Sequence, residues 1–147
     1  MTFRRILFAT DLSPASGRAF EQAVGMARAN EAELVIAHAY QLPDLFPTDV
    51  CVTGTLYSDL DEKVRDDAEK KLAALVKVAR KEGIGARFLV LVGAPFEAIA
   101  EAARAVQADL IVMGTHGRTG ASRILLGSVA SRVTTTAPCP VMTVRAA

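Results

Sequence analysis

Short apolar runs alternate with stretches of helical period along the whole chain, and few architectures accept that order. Residues 6–9 (ILFA), 34–37 (LVIA), 87–92 (RFLVLV), 110–113 (LIVM) and 140–145 (PVMTVR) read as strands. The first is followed by Ser13-Pro14, a helix cap with proline in the first turn, and by Phe20, Val24 and Ala27 at i, i+4 and i+7 of a helix ending near Asn30. A longer helix is predicted over residues 58–82, with Leu60, Val64, Ala68, Leu72, Leu75 and Ala79 on one face and Gly83 and Gly85 to end it. Gly93-Ala94-Pro95 turns into another, whose stripe is Phe96, Ile99, Ala100 and Ala103. Strands alternating with helices predict an α/β domain on a parallel sheet with right-handed crossovers. No repeat, low-complexity tract or linker interrupts residues 1–147, so one domain is expected.

Two stretches fit the alternation less directly. Residues 40–57 hold no period, and Pro43, Pro47 and Gly54 interrupt any element there, which predicts a loop of unusual length. Its Leu42, Leu45, Phe46, Val50 and Val52 argue that part of it packs; lid, dimer contact and passive packing all stay open for it. The long helix carries Asp59 with Lys63, Asp61 with Arg65, Asp66 with Lys70 and Asp67 with Lys71 at i, i+4, the pattern of a solvated face.

Residues 110–133 (LIVMGTHGRTGASRILLGSVASRV) carry the chemistry. The apolar run is bounded by glycine, as in a strand buried on both faces. Gly114, Gly117 and Gly127 then stand in a G-x2-G-x9-G spacing with Ser128 directly behind. Val129 and Val133 resume a helical spacing, so Gly127 and Ser128 fall at a helix N-terminus. A helix start leaves N–H groups unpaired and carries partial positive charge, which suits a phosphate. Glycines let backbone approach the anion and take positive φ.

Composition narrows the partners. Lys plus Arg number 17 and Asp plus Glu 16, so no global field recruits nucleic acid or an anionic membrane, and any anion must be bound locally. Cys51 and Cys139 are too few for a disulfide framework, and the two histidines form no close ligand pair. The N-terminal apolar run is shorter than a signal-peptide core, and no stretch nears the ~20 apolar residues of a membrane span. A cytoplasmic protein is expected.

The two halves of the loop, MGTHGRTG and ILLGSV, resemble the nucleotide-binding loop of the universal stress protein family, in its ATP-binding branch. ILFATDLS, LVIAHAY, VGAPFEAI and APCPVMTVR extend the resemblance over nearly the whole chain, residues 41–57 excepted. It implies a three-layer, Rossmann-like open sheet of five parallel strands in the order 3-2-1-4-5, similar to adenine nucleotide alpha hydrolases. The ligand crevice would then open between strands one and four, where Asp11 and Gly114 face each other. Backbone at Gly117, Gly127, Ser128 and Val129 with the Ser128 hydroxyl would hold phosphates, Arg118 adding a guanidinium. Ala9, Asp11, Ala39 and Met113 would meet the adenosine end, with Thr10, Gly114 and His116 also among the nucleotide-binding positions. Mg2+ or Mn2+ could arrive with ATP, and no residue is assigned as a metal ligand.

Several of these residues have plainer readings. Asp11 can cap the first helix, His116 can be a donor or spacer, His38 can finish a strand with a local hydrogen bond, and Arg123 can solvate a helix. The function expected is an ATP-binding regulatory or stress-response module, homodimeric through Val141 to Val144 at a sheet edge. The alternatives are a slow ATPase or phosphate- or adenylyl-transferring enzyme, and a nucleotide-independent interaction protein. There is no G-x4-G-K-[ST] run, nucleophile elbow or evident carboxylate pair, so turnover far below that of ordinary enzymes is expected. The glycines follow the fourth strand rather than the first and lack G-x-G-x-x-G spacing, which disfavours a dehydrogenase.

Overall fold

The computed structural model describes residues 2–42, 54–116 and 126–146. Five strands, β1 (Arg5–Ala9), β2 (Glu33–Tyr40), β3 (Ala86–Val92), β4 (Leu110–Gly114) and β5 (Val141–Val144), form one parallel sheet in the order β3-β2-β1-β4-β5. Among the described residues four α-helices connect them: α1 (Gly17–Asn30), α2 (Gly54–Lys81), α3 (Pro95–Ala105) and α4 (Ser128–Thr136).

The period of two along each strand sorts its side chains into two cores. Ile6, Phe8, Leu34, Ile36, Leu110 and Val112 pack beneath α1 and α2, whose Ala19, Ala23, Ala27, Leu72, Val76 and Ala79 complete that layer. Leu7, Ala9, Val35, Ala37, Ile111 and Met113 face α3 and α4, through Ile99, Ala102, Ala103, Ala130 and Val133. The central strands are buried on both sides, which is why they read as continuous apolar runs.

Several boundaries differ from the pattern. β2 runs on through Tyr40, and α2 begins at Gly54 rather than residue 58, so part of the predicted 40–57 loop is regular structure. Leu56 and Leu60 continue the helical spacing, and glycine is tolerated in a first turn, where few helical bonds depend on it. Residues 43–53 of that loop lie outside the described residues. β5 is shorter than residues 140–145, and the α1 stripe is centred on Ala19, Ala23 and Ala27, with Phe20 and Val24 only half-buried. Of the four i, i+4 pairs on α2, Asp67 and Lys71 form an ion pair, at 3.0 Å. Asp61 bonds elsewhere: its Oδ1 accepts the Tyr40 hydroxyl at 2.6 Å, tying α2 to the end of β2. Gly83 ends α2 at φ 79°, its N–H donating to the Arg80 carbonyl while Ile84 N–H reaches Ala79.

The amino ends of the strands are held by ions. Glu33 accepts Arg5 Nε at 2.5 Å and Arg87 Nε at 2.7 Å, and Asp109 accepts the Arg4 and Arg5 N–H groups. At the carboxyl ends the pairing of β1 with β4 stops, and the two strands part there.

Candidate functional site

β1 and β4 are paired as far as Ala9 opposite Met113. Beyond that rung the chain leaves β1 for α1, against one face of the sheet, and leaves β4 for α4, against the other. Opposite exits open a crevice at the carboxyl ends, which is where ligands bind in open α/β sheets. Ala9, Thr10 and Met113 are buried at its base, and Gly114 and Ala39 are half-buried beside them.

The β1–α1 turn is built by its own side chains. Thr10 Oγ1 accepts the Leu12 N–H at 3.0 Å, holding Leu12 at φ 63°, and bonds Ser16 Oγ at 3.0 Å. Asp11 Oδ1 accepts both the N–H and the hydroxyl of Ser13, at 3.0 and 2.6 Å. Asp11 thus shapes the entry into the short 3-10 turn Pro14–Ser16 through Ser13 rather than capping a helix as the plainer reading had it, and neither Ser13 nor Ser16, the N-cap of α1, makes a side-chain cap. The T-D-x-S spacing was the sequence signal for this turn.

On the other side of the crevice, Gly127 is the N-cap of α4 and Ser128 its first residue. Among the described residues no side chain caps this helix and no acid stands in its first turn, and such a helix start offers its leading N–H groups to an anion. Ser128 is exposed and Val129 half-buried. Gly127 N–H donates to the Thr115 carbonyl at 2.7 Å, which clips the far end of the loop to its start. A Cβ on Gly127 would meet that same oxygen at 2.7 Å. Glycine is needed there for close packing, not for positive φ: neither Gly114 nor Gly127 adopts positive φ, contrary to the expectation for the loop glycines. Thr115, which no motif singled out, also anchors the loop through its N–H to Val144 and its hydroxyl beside His116 Nδ1 at 3.0 Å. His116 Nε2 is buried without a hydrogen bond among the described residues. Gly117, Arg118 and Arg123 lie outside the described residues.

β2 supplies the third wall. Successive N–H groups of a parallel strand point alternately to its two neighbours. Glu33 N–H reaches Arg4 on the β1 side and Leu34 N–H reaches Gly85 on the β3 side, so the Ala39 N–H points toward β1. Among the described residues it finds no acceptor there. His38 is buried, and its Nδ1 donates to the Thr10 carbonyl at 2.9 Å, a partner distant in sequence rather than local. Because a carbonyl only accepts, the Nδ1 atom carries the proton.

Elsewhere, burial pushes the half-exposed Cys139 thiol up. Among the described residues no three His, Cys, Asp or Glu side chains gather as a metal site, and no helix is long and apolar enough to cross a membrane.

Residues 2–145 match the model of the universal stress protein family. A universal stress protein of Thermus aquaticus is 40% identical over 97% of this chain and 99% of its own length. The solved structure of protein MJ0577 of Methanocaldococcus jannaschii superposes with a TM-score of 0.85 at 26% identity, covering 98% of this chain and 96% of that one. A universal stress protein crystallised in complex with cAMP is 30% identical over the full length of both chains, with a TM-score of 0.69.

Proposed function

We propose that this chain, which belongs to the universal stress protein family, binds ATP where β1 and β4 part and acts as a regulatory or stress-response module. The observation that carries the reading is the start of α4 beside the crevice: among the described residues, the helix N-terminus at Gly127 and Ser128 has no side-chain cap and no acid in its first turn. Such an end holds a polyanion through main-chain N–H groups and the helix dipole. Ala9, Ala39 and Met113 offer a small or flexible apolar bed for a purine, and the open Ala39 N–H offers a donor to a ring nitrogen. The relative bound to cAMP supports an adenine nucleotide in particular. Gly117 and Arg118 complete the phosphate side of this reading, with Asp11 at the adenosine side. Mg2+ or Mn2+ enters on the phosphates rather than on a protein ligand set. The protein works in the cytoplasm as a homodimer joined through β5, an edge strand with an apolar run.

Slow hydrolysis is the second reading, favoured by the buried His116 Nε2 beside the loop. Mass spectrometry of ligand released from the purified protein, with calorimetric titration of the stripped protein by ATP, tests the proposal. An adenine nucleotide in the first and saturable uptake in the second are expected. A stripped protein that takes up no ATP would overturn the reading, and product formed at ordinary enzyme rates would replace a regulator by an enzyme.

A further inference from the structure

The β1–β2 ladder stops one bond short, and a side chain occupies the place of the missing donor. Thr10 N–H still donates to Ala37 at 2.9 Å, continuing the pairing one residue past the last strand rung, Ala9 opposite Ala37. The next bond of a parallel ladder would run from Ala39 N–H to the Thr10 carbonyl. That bond is not formed, and the Thr10 oxygen takes the imidazole Nδ1 of His38 instead. His38 alternates with Leu34 and Ile36 onto the α1/α2 face of β2, whereas Ala39 alternates with Val35 and Ala37 onto the α3/α4 face shared by Ala9 and Met113. The imidazole therefore holds Thr10 from behind the crevice.

We infer that His38 is a positioning residue for base recognition: by satisfying the Thr10 carbonyl it ends the β1–β2 ladder and keeps the Ala39 main-chain N–H for the ligand's base. The consequence for the base rests on the proposed nucleotide site; the consequence for the ladder rests on the fold alone. With an apolar residue at 38, the Thr10 carbonyl is left without its donor. An unmet buried carbonyl is costly, so it draws in the nearest free N–H, that of Ala39. The strands then zip by one more bond and the base loses its donor. Asparagine carries its amide nitrogen on Cγ, as histidine carries Nδ1, and so can restore the bond.

Wild-type protein, His38→Leu and His38→Asn are compared by amide hydrogen exchange without ligand and by titration with ATP and with inorganic tripolyphosphate. In the wild type the Ala39 amide is expected to exchange at least about tenfold faster than the ladder-bonded amide of Ala37. His38→Leu slows Ala39 to the Ala37 rate and weakens ATP roughly three- to tenfold while leaving tripolyphosphate unchanged. His38→Asn restores both wild-type values. An Ala39 amide already protected in the wild type, an unaltered exchange rate in His38→Leu, equal losses for ATP and tripolyphosphate, or no rescue by asparagine would each overturn the inference. A wild-type protein that binds neither probe removes the nucleotide reading, and the exchange rates then decide the ladder claim alone, in the same two directions.

Discussion

The carbonyl oxygen of Thr115 accepts the Gly127 N–H at 2.7 Å and stands 2.7 Å from where a Cβ on Gly127 would lie. One atom therefore both closes the loop after β4 and forbids a side chain at its far end. Gly127→Ala must push these backbones apart, because neither contact is the end of a flexible side chain. We expect a cost of about 1 to 3 kcal/mol, as for other overpacked sites, and ATP affinity reduced more than about tenfold as the α4 N-terminus shifts. Gly114→Ala is the control: its nearest non-neighbour atom is 3.6 Å away, an ordinary contact. Urea titration and calorimetry on both variants check this, and equal effects at the two glycines would refute it.

Ser128→Ala separates binding from folding. The hydroxyl is exposed at the first position of α4, and the helix has no side-chain cap to lose. Stability should hold within about 0.5 kcal/mol, while ATP affinity falls by about 0.5 to 1.5 kcal/mol for one lost hydrogen bond. Thermal melts beside calorimetric titrations measure the two effects, and a melting temperature that falls without any change in affinity would reassign Ser128 to the fold.

Tyr40 and Asp61 join the end of β2 to α2 through a 2.6 Å hydrogen bond from a buried phenol. Burial first, and then the bond to the Asp61 carboxylate, raise the Tyr40 pKa above its usual 10.0. A raised folded pKa contributes stability that is fully present below pH 10.0 and is lost as pH rises through the higher folded value. Tyr40→Phe should thus cost about 1 to 2 kcal/mol at neutral pH, with the gap to wild type closing in strongly alkaline solution. Chemical denaturation across pH 7 to about 12 tests the sign; a gap that widens with pH would contradict it.

How far the sequence disclosed this molecule follows from what a side-chain pattern encodes. Apolar runs and helical stripes record which face of each element is buried, so the five strands and their helices were legible as elements, though not all of their ends. The strand order came through the family resemblance, and the registers confirm it. Gly127 was legible as a glycine that mattered, but for a reason now altered: it makes room for a carbonyl of its own loop. Thr115 was invisible because its main chain does the work, and main-chain contacts leave no mark on residue type. The role of His38 was hidden for a related reason. A buried imidazole at the end of a strand is unremarkable until the register shows which ladder bond it displaces. Gly54 misled: read as an interruption, it proved the first residue of α2.

At the opposite end of the sheet, Glu33 bridges Arg5 and Arg87. The hydrogen bond from Arg87 leads the effects that hold its carboxyl below the ordinary 4.5, against the opposing effect of burial. A lowered folded pKa contributes stability that is present above pH 4.5 and is lost as pH falls through the lower folded value. The three side chains are about a third exposed or more, so solvent screens the gain to about 1 kcal/mol or less. Glu33→Gln should lose that amount at neutral pH and match wild type once the medium is acid enough to protonate Glu33. Urea midpoints at neutral and acid pH decide it, and an undiminished difference in acid would exclude the ion cluster as the cause.

The last prediction concerns the free edge of β5. Ile111 N–H donates to Pro140 and Thr115 N–H to Val144, so even-numbered residues of this strand bond β4 and the N–H and C=O of Thr143 point away from the sheet. A second copy pairing along this edge would use those outward groups. Proline at 143 removes one outward donor and leaves the bonds to β4 untouched, and proline is tolerated on an edge strand for that reason. Thr143→Pro should therefore convert a dimer to a monomer at micromolar concentration with the domain still folded. Met142→Pro, one residue earlier, deletes a donor to β4 and should instead destabilise the domain itself. Sedimentation equilibrium with circular dichroism on both variants makes the distinction, and a wild-type protein that sediments as a monomer would abolish the β5 dimer outright.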